Sequence, residues 1–253
     1  MDSVKELLAD PLKGIRRSQG ILCYLFRHVL LWRKVNQFSW NKRLNHYFQK
    51  PHNMANPDKG NLNKSLCADD FTWPAFLKAV DFLNPVSAVF TIELTWKSGR
   101  VSQYQIVLDP AADESDPALN TFDYEISEVF TDHKAPANTL ARLFRRIVSE
   151  EGIDLTRWNA LFEEYVTNPI NGIPANRREQ NAAISSLQRS VLEPRMTWNV
   201  FRKGVLILNP VQEDYILTLR WTNDLNVHDE DAVTEHKVTI RDPFATGKLH
   251  DRQ

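Results

Sequence analysis

Seven histidines stand in the chain: His28, His46, His52, His133, His228, His236 and His250. Imidazole is the side chain best suited to proton transfer and metal ligation near neutral pH. A metal-binding helix needs two ligands on one face, three or four residues apart. No two histidines have that spacing, and His46 with His52, separated by an expected helix end, is the nearest local pair. Carboxylates fall side by side at Asp69-Asp70, Glu150-Glu151, Glu163-Glu164 and Asp229-Glu230-Asp231. General acid–base work asks for carboxyl groups held in a cleft in unlike surroundings. Adjacent pairs read instead as solvated charge. No serine elbow, Walker loop or dinucleotide fingerprint occurs, and only eight glycines are present to shape phosphate loops. The reading is non-enzymatic, with no catalytic residue, metal or cofactor assigned.

The remaining chemistry is cationic. Arg16, Arg17, Arg27, Arg33, Lys34, Lys42, Arg43 and Lys50 interleave with Tyr24, Trp32, Phe38, Trp40, Tyr47 and Phe48. Cations with stacking aromatics suit single-stranded nucleic acid, and the same composition suits a protein interface. Residues 1–66 carry 12 Lys/Arg against 4 Asp/Glu, and residues 67–136 carry 4 against 12. The basic stretch therefore has two candidate partners, a nucleic acid or an acidic protein surface.

These residues sit in a chain that repeats itself. Leu25-Phe26-Arg27, Trp40-Asn41, Tyr47 and Pro51 recur 118 residues later as Leu143-Phe144-Arg145, Trp158-Asn159, Tyr165 and Pro169. Thr72-Trp73, Phe76, Leu83-Asn84-Pro85, Leu94 and Trp96 recur 125 residues later as Thr197-Trp198, Phe201, Leu208-Asn209-Pro210, Leu219 and Trp221. Asp109-Pro110 and Asp242-Pro243 close the two stretches. A long period used twice predicts two domains of one fold. Six of seven tryptophans fall in pairs, which makes Trp40, Trp73, Trp96, Trp158, Trp198 and Trp221, with Phe76 and Phe201, the expected repeat core. Trp32 has no counterpart.

Within each copy the apolar period is helical first and two-residue last. Helices are expected over about 14–34, 40–48 and 73–83, and again from near 138, over 158–166 and from 198. Ser39, and Asp154 or Thr156, are the expected caps of the second helices, and Thr72 and Thr197 of the third. Phe90, Ile92, Leu94 and Trp96 begin a hairpin that returns from Val101 to Leu108. Tyr215 to Trp221 begins another that returns from Thr234 to Arg241 after an acidic loop over 223–231. Each hairpin is expected to pack on its own helices, since two strands alone are marginal. The predicted fold class is α+β, a tandem duplication of a mainly helical unit ending in a β-hairpin. Domains are expected over 1–110 and 137–253, with 111–136 as a linker whose Phe122 to Phe130 portion forms a later strand or a segment laid on a core. Cys23 and Cys67 have no metal spacing and suggest a reducing compartment. No signal pattern opens the sequence, and the apolar run from Ile21 to Trp32 is too short to span a bilayer.

Gly60 to Leu66, the block Phe71 to Pro85, and Glu93-Leu94-Thr95-Trp96 resemble a pattern in small virion and assembly proteins of contractile-tailed bacteriophages. There a Thr-Trp helix start leads to a strand ending in Leu-Thr-Trp. The second copy departs from the pattern at residues 181–187 and at Leu219-Arg220-Trp221. The resemblance implies a baseplate, tail or neck component located in the virion and, during assembly, in the host cytoplasm. Its expected partners are other protein subunits, with self-association as a further expectation. The alternative expectation is a nucleic-acid-binding accessory protein of phage replication or transcription.

Overall fold

The structure, a computed structural model, describes residues 20–54, 59–108, 126–171, 177–221 and 233–246. The order is α1 (Ile21–Trp32), α2 (Gln37–Gln49), α3 (Pro51–Met54), α4 (Lys59–Leu66), α5 (Trp73–Leu83), β1 (Ser87–Thr95) and β2 (Val101–Val107). A 3-10 turn at Glu128–Phe130 follows. Then come α6 (Thr139–Glu150), α7 (Leu155–Thr167), a 3-10 turn at Pro169–Asn171, α8 (Arg177–Leu192), α9 (Trp198–Ile207), β3 (Gln212–Arg220), β4 (Val233–Arg241) and α10 (Pro243–Thr246). The class is α+β.

The hairpins depart from expectation. They are not two separate two-stranded sheets, because β1 pairs with β3 and all four strands form one sheet in the order β2-β1-β3-β4. Val86 N–H donates to Arg220 O at 2.7 Å, and Val211 N–H donates to Thr95 O at 2.8 Å. The physical reason is the edge. A lone hairpin leaves two rows of unpaired backbone groups, and joining β1 to β3 removes one row from each.

The chain divides into two compact units. One comprises Met1–Ile92, Gln105–Ala111 and Asp214–Thr239, and the other Glu93–Tyr104, Ala112–Glu213 and Ile240–Gln253. In the first, α1 buries Leu22, Leu25, Phe26 and Val29, and α5 buries Trp73, Phe76, Val80 and Leu83. In the second, α6 buries Leu140, Leu143, Phe144 and Ile147, and α9 buries Trp198, Phe201 and Val205. All six paired tryptophans are buried, whereas Trp32 is 46% exposed. The indoles are therefore core, as their recurrence implied.

Local devices recur with the sequence offsets. Thr72 Oγ1 accepts from Ala75 N–H, and Thr197 Oγ1 accepts from Val200 N–H, both at 3.3 Å. Asp154 caps α7 by accepting from Arg157 N–H at 2.7 Å. In α2 the cap is Asn36 and not Ser39. Asn36 Oδ1 accepts from Ser39 N–H at 2.9 Å, and Ser39 returns its hydroxyl oxygen to the Asn36 N–H, so Ser39 occupies the third helical position of a capping box. Asn84 and Asn209 both end their helices in the left-handed region, at φ 58° and 57°. The expected start of the first helix, residues 14–19, lies outside the described residues, as do residues 121–125 of the linker and the loop over 223–231. The helices α4 and α8 were not expected. Their apolar positions are too sparse to stand out as a periodic stripe.

The end of α1 shows what this architecture demands of one position. Val35 N–H reaches Leu30 O, and Lys34 N–H reaches Leu31 O, each at 3.0 Å, with Lys34 at φ 48°. At the matched place after α6, Ile153 N–H reaches Val148 O and Gly152 N–H reaches Ser149 O, with Gly152 at φ 60°. Both are left-handed helix terminations, which glycine adopts without a Cβ penalty. A Cβ on Gly152 would meet no atom within 4 Å. Gly152→Ala is therefore expected to cost only the backbone strain, about 1 kcal/mol. Lys34→Gly should shift stability the other way, and urea midpoints of the two variants check both signs.

Gly204 is the converse case. A Cβ there would lie 2.7 Å from Cε2 of the buried Phe144 ring. The matched residue in the first copy is Ala79, so the difference is set by ring placement and not by helix chemistry. Gly204→Ala should overpack the second unit by about 1–3 kcal/mol, read as a lowered denaturation midpoint.

Candidate functional site

Of the eight expected cation contacts, the six that are described do not share one exposed surface. Arg16 and Arg17 lie outside the described residues. Arg27 is 1% exposed, and its Nη2 donates to Ala68 O at 2.9 Å, beyond the end of α4. The matched Arg145 is buried too. It donates to Leu192 O at 3.4 Å, at the end of α8, and its guanidinium lies 4.8 Å from the Phe130 ring centroid. The repeated Leu-Phe-Arg motif is therefore structural. Its arginine satisfies carbonyls that a helix end leaves without partners. Arg43 is also interior and donates to Leu83 O at the end of α5. Burial, and secondarily the charge of Arg33, pulls its guanidinium down to about 10. Neither Arg27 nor Arg43 is presented to a phosphate backbone.

Arg33 is half-buried, its guanidinium 4.3 Å from the Trp221 ring centroid and 5.7 Å from that of Trp32. Burial lowers its pKa. Lys50 pairs with Asp81 and donates to the Asp81 carbonyl at 3.0 Å. Only Lys34 and Lys42 of the eight are described and exposed.

Close to Lys34 the chain exposes apolar side chains. Leu31 at 44%, Trp32 at 46% and Phe38 at 79% exposure all fall where α1 turns into α2. At the matched places the second copy has Ser149, Glu150 and Thr156, with Leu155 exposed beside them, so the exposed aromatic pair is a feature of the first copy.

Three buried polar networks were not legible in the sequence. In the first unit, His236 is 1% exposed. Its Nδ1 lies 3.0 Å from Nδ1 of His28, and its Nε2 lies 3.2 Å from Thr234 Oγ1. Trp221 Nε1 donates to that same hydroxyl at 3.0 Å. Burial, and then the neighbouring His28, lowers the His236 pKa to about 4. Also in the first unit, the buried Asp81 accepts from Lys50, from His52 Nε2 at 3.0 Å and from Asn53 Nδ2 at 2.7 Å. His46, the other member of the local histidine pair, is exposed on α2.

The third network lies in the second unit. Glu151, expected as half of a solvated pair, is buried. It accepts from Tyr104 Oη at 2.7 Å and pairs with Arg100. Burial and the Glu151 carboxylate push the Tyr104 phenol far above its ordinary range. Among the described residues no three His, Cys, Asp or Glu side chains gather as a metal site, and no helix is long and apolar enough to cross a membrane.

No family model, curated protein or solved structure matches the chain. The chemistry must be argued from the residues. In two of the networks each carboxylate is matched by donors, and in the third two imidazoles face each other. All three tie distant segments together. Among the described residues, the apolar corner at α1–α2 with its two lysines is where exposed aromatic side chains and cations lie together in sequence.

Proposed function

We propose that the chain is a non-enzymatic structural or assembly protein of a tailed phage particle, built by tandem duplication and acting through protein–protein interfaces. One observation carries the reading. Leu31, Trp32 and Phe38 are exposed within one helix corner, flanked by Lys34 and Lys42, while the other tryptophans are buried. Aromatic side chains backed by cations have the composition of interface anchors. The duplication is supported by the recurring caps and left-handed helix ends, and it gives one chain two related but unequal faces. The exposed Trp32 and Phe38 have no aromatic counterpart in the other copy, which suits a chain that must meet two different neighbours. The partner subunit would offer an apolar surface with acidic residues around it. The phage setting comes from the resemblance in residues 60–96, and virion and host cytoplasm are the corresponding locations.

The experiment is mass spectrometry of phage particles purified after infection and washed in high salt. The expected result is the chain present in a fixed ratio to the other particle proteins, with the Trp32→Ala, Phe38→Ser double variant folded but depleted. Absence of the wild-type chain from washed particles would overturn the proposal. Steeply salt-dependent DNA binding by the full chain would transfer the function to nucleic acid.

A further inference from the structure

The Asp81 cluster stands at the polar end of a cavity of about 420 Å3 in the first unit. Val80, Pro85, Val107 and Leu108 give that cavity apolar walls, and Ser87 reaches it from the start of β1. Its size is in the range of small-molecule sites, and apolar walls with a few convergent polar groups are their usual make-up.

The direction of the hydrogen bonds fixes the ligand's chemistry. Asp81 has a side chain only 6% exposed, and both of its oxygens are already engaged: Oδ1 by Lys50, Oδ2 by His52 and Asn53. It has little left to offer a cation. Lys50 spends two donors on Asp81, one on the carboxylate and one on the backbone carbonyl. An ammonium has three. His52 spends its Nε2–H on Asp81, which leaves Nδ1 as an acceptor and not a donor. The donors this cavity presents are the third Lys50 proton and the Ser87 hydroxyl. A ligand there needs an acceptor head, best an anionic one beside the lysine, and an apolar body.

The second copy lacks the lysine, histidine and aspartate of this arrangement and keeps only the asparagine. The positions matched to Lys50, His52, Asn53 and Asp81 are Asn168, Ile170, Asn171 and Leu206. A framework common to both copies therefore stands without the cluster, and a buried aspartate on the core side of α5 is costly unless fully partnered. The matched position holds the half-buried Leu206, so a helix of this kind forms without an aspartate there.

From these observations we infer that the cavity binds a small amphipathic monocarboxylate. Its head accepts from Lys50 and Ser87, and its hydrocarbon part lies along Val80, Pro85 and Val107.

The test uses the full chain, isotopically labelled, titrated by NMR with hexanoate and, separately, hexan-1-ol. Saturable shifts at Ser87 and Ala88 with hexanoate are expected, and hexan-1-ol should bind about tenfold more weakly for want of the charge-assisted bond. Lys50→Met should weaken hexanoate by a similar factor. Ser87→Phe fills the cavity mouth on an exposed strand position, leaves the Asp81 ion pair intact, and should abolish binding; it decides the matter if Lys50→Met does not fold. No saturable binding, equal binding of the alcohol, or undiminished binding in folded Ser87→Phe would each overturn the inference.

Discussion

Trp158→Ala is expected to destabilise the second unit by about 3–5 kcal/mol, the range for truncating a large aromatic side chain in a core. The indole is 1% exposed and lies against Phe144 and Phe162, with ring centroids 6.1 and 6.2 Å away. Removing it opens a hole among residues that are themselves packed on α9, where Phe144 meets Phe201 at 6.4 Å. A second substitution separates packing from hydrogen bonding. Trp158 Nε1 is buried without a partner among the described residues, whereas the matched Trp40 donates from Nε1 to Asn63 Oδ1 at 3.2 Å. Phenylalanine removes the N–H in both cases. Trp158→Phe therefore sheds an unpaired donor, and Trp40→Phe sheds a bond, so the second should cost more by about 1 kcal/mol. Urea denaturation of the full chain, followed by fluorescence of the remaining tryptophans, measures both. Equal costs for the two phenylalanine variants would show that the Trp158 N–H is satisfied.

Stability is expected to fall as pH drops from about 6.5 toward 4, and His236 is the largest single reason. Its folded pKa is depressed to about 4 by burial and by the neighbouring His28, against 6.5 in the open chain. The folded state then refuses a proton that the unfolded state accepts. Its contribution is complete above the unfolded value and is lost progressively down to the folded one. A depression of that size corresponds to about 3 kcal/mol. His236→Phe keeps a ring in the buried place and removes the titration. Denaturation midpoints of wild type and variant should diverge between pH 7.5 and pH 4.5, with the variant losing less. Parallel curves across that window would show that His236 takes its proton inside the fold without cost.

Much of the helical framework was legible because its signals are local. Thr72 and Thr197 cap the helices their sequence marks, the Asn-Pro dipeptides stop them, and the recurring indoles are core. What failed depended on partners far along the chain. Ser39 read as a cap because it precedes Trp40, but Asn36, three residues earlier, holds the free amides. The joining of two hairpins into one sheet leaves no trace in either hairpin alone, since β1 would show the same alternation beside any neighbour. Glu151 read as an ordinary solvated acid and Asp81 drew no reading, because burial is a property of what packs above them. Arg27 and Arg43 misled in the opposite sense. A guanidinium in an apolar helix suggested a phosphate partner, and each instead serves a carbonyl about 40 residues away. The one available signal was the recurrence of Arg27 as Arg145, since a residue kept in both copies beside core residues belongs with the core.

Arg33 and Glu151 occupy matched sequence positions with opposite charge. Arg33 lies over Trp221, and Glu151 holds Arg100 from the turn of the first hairpin. Were the first turn to settle on the wrong helix end, Arg100 would face Arg33, cation against cation, and Glu151 would be left buried and uncompensated. An unpaired interior charge costs several kcal/mol. The charge reversal at one matched position would thus act as an address label, making the crossed pairing the costlier of the two.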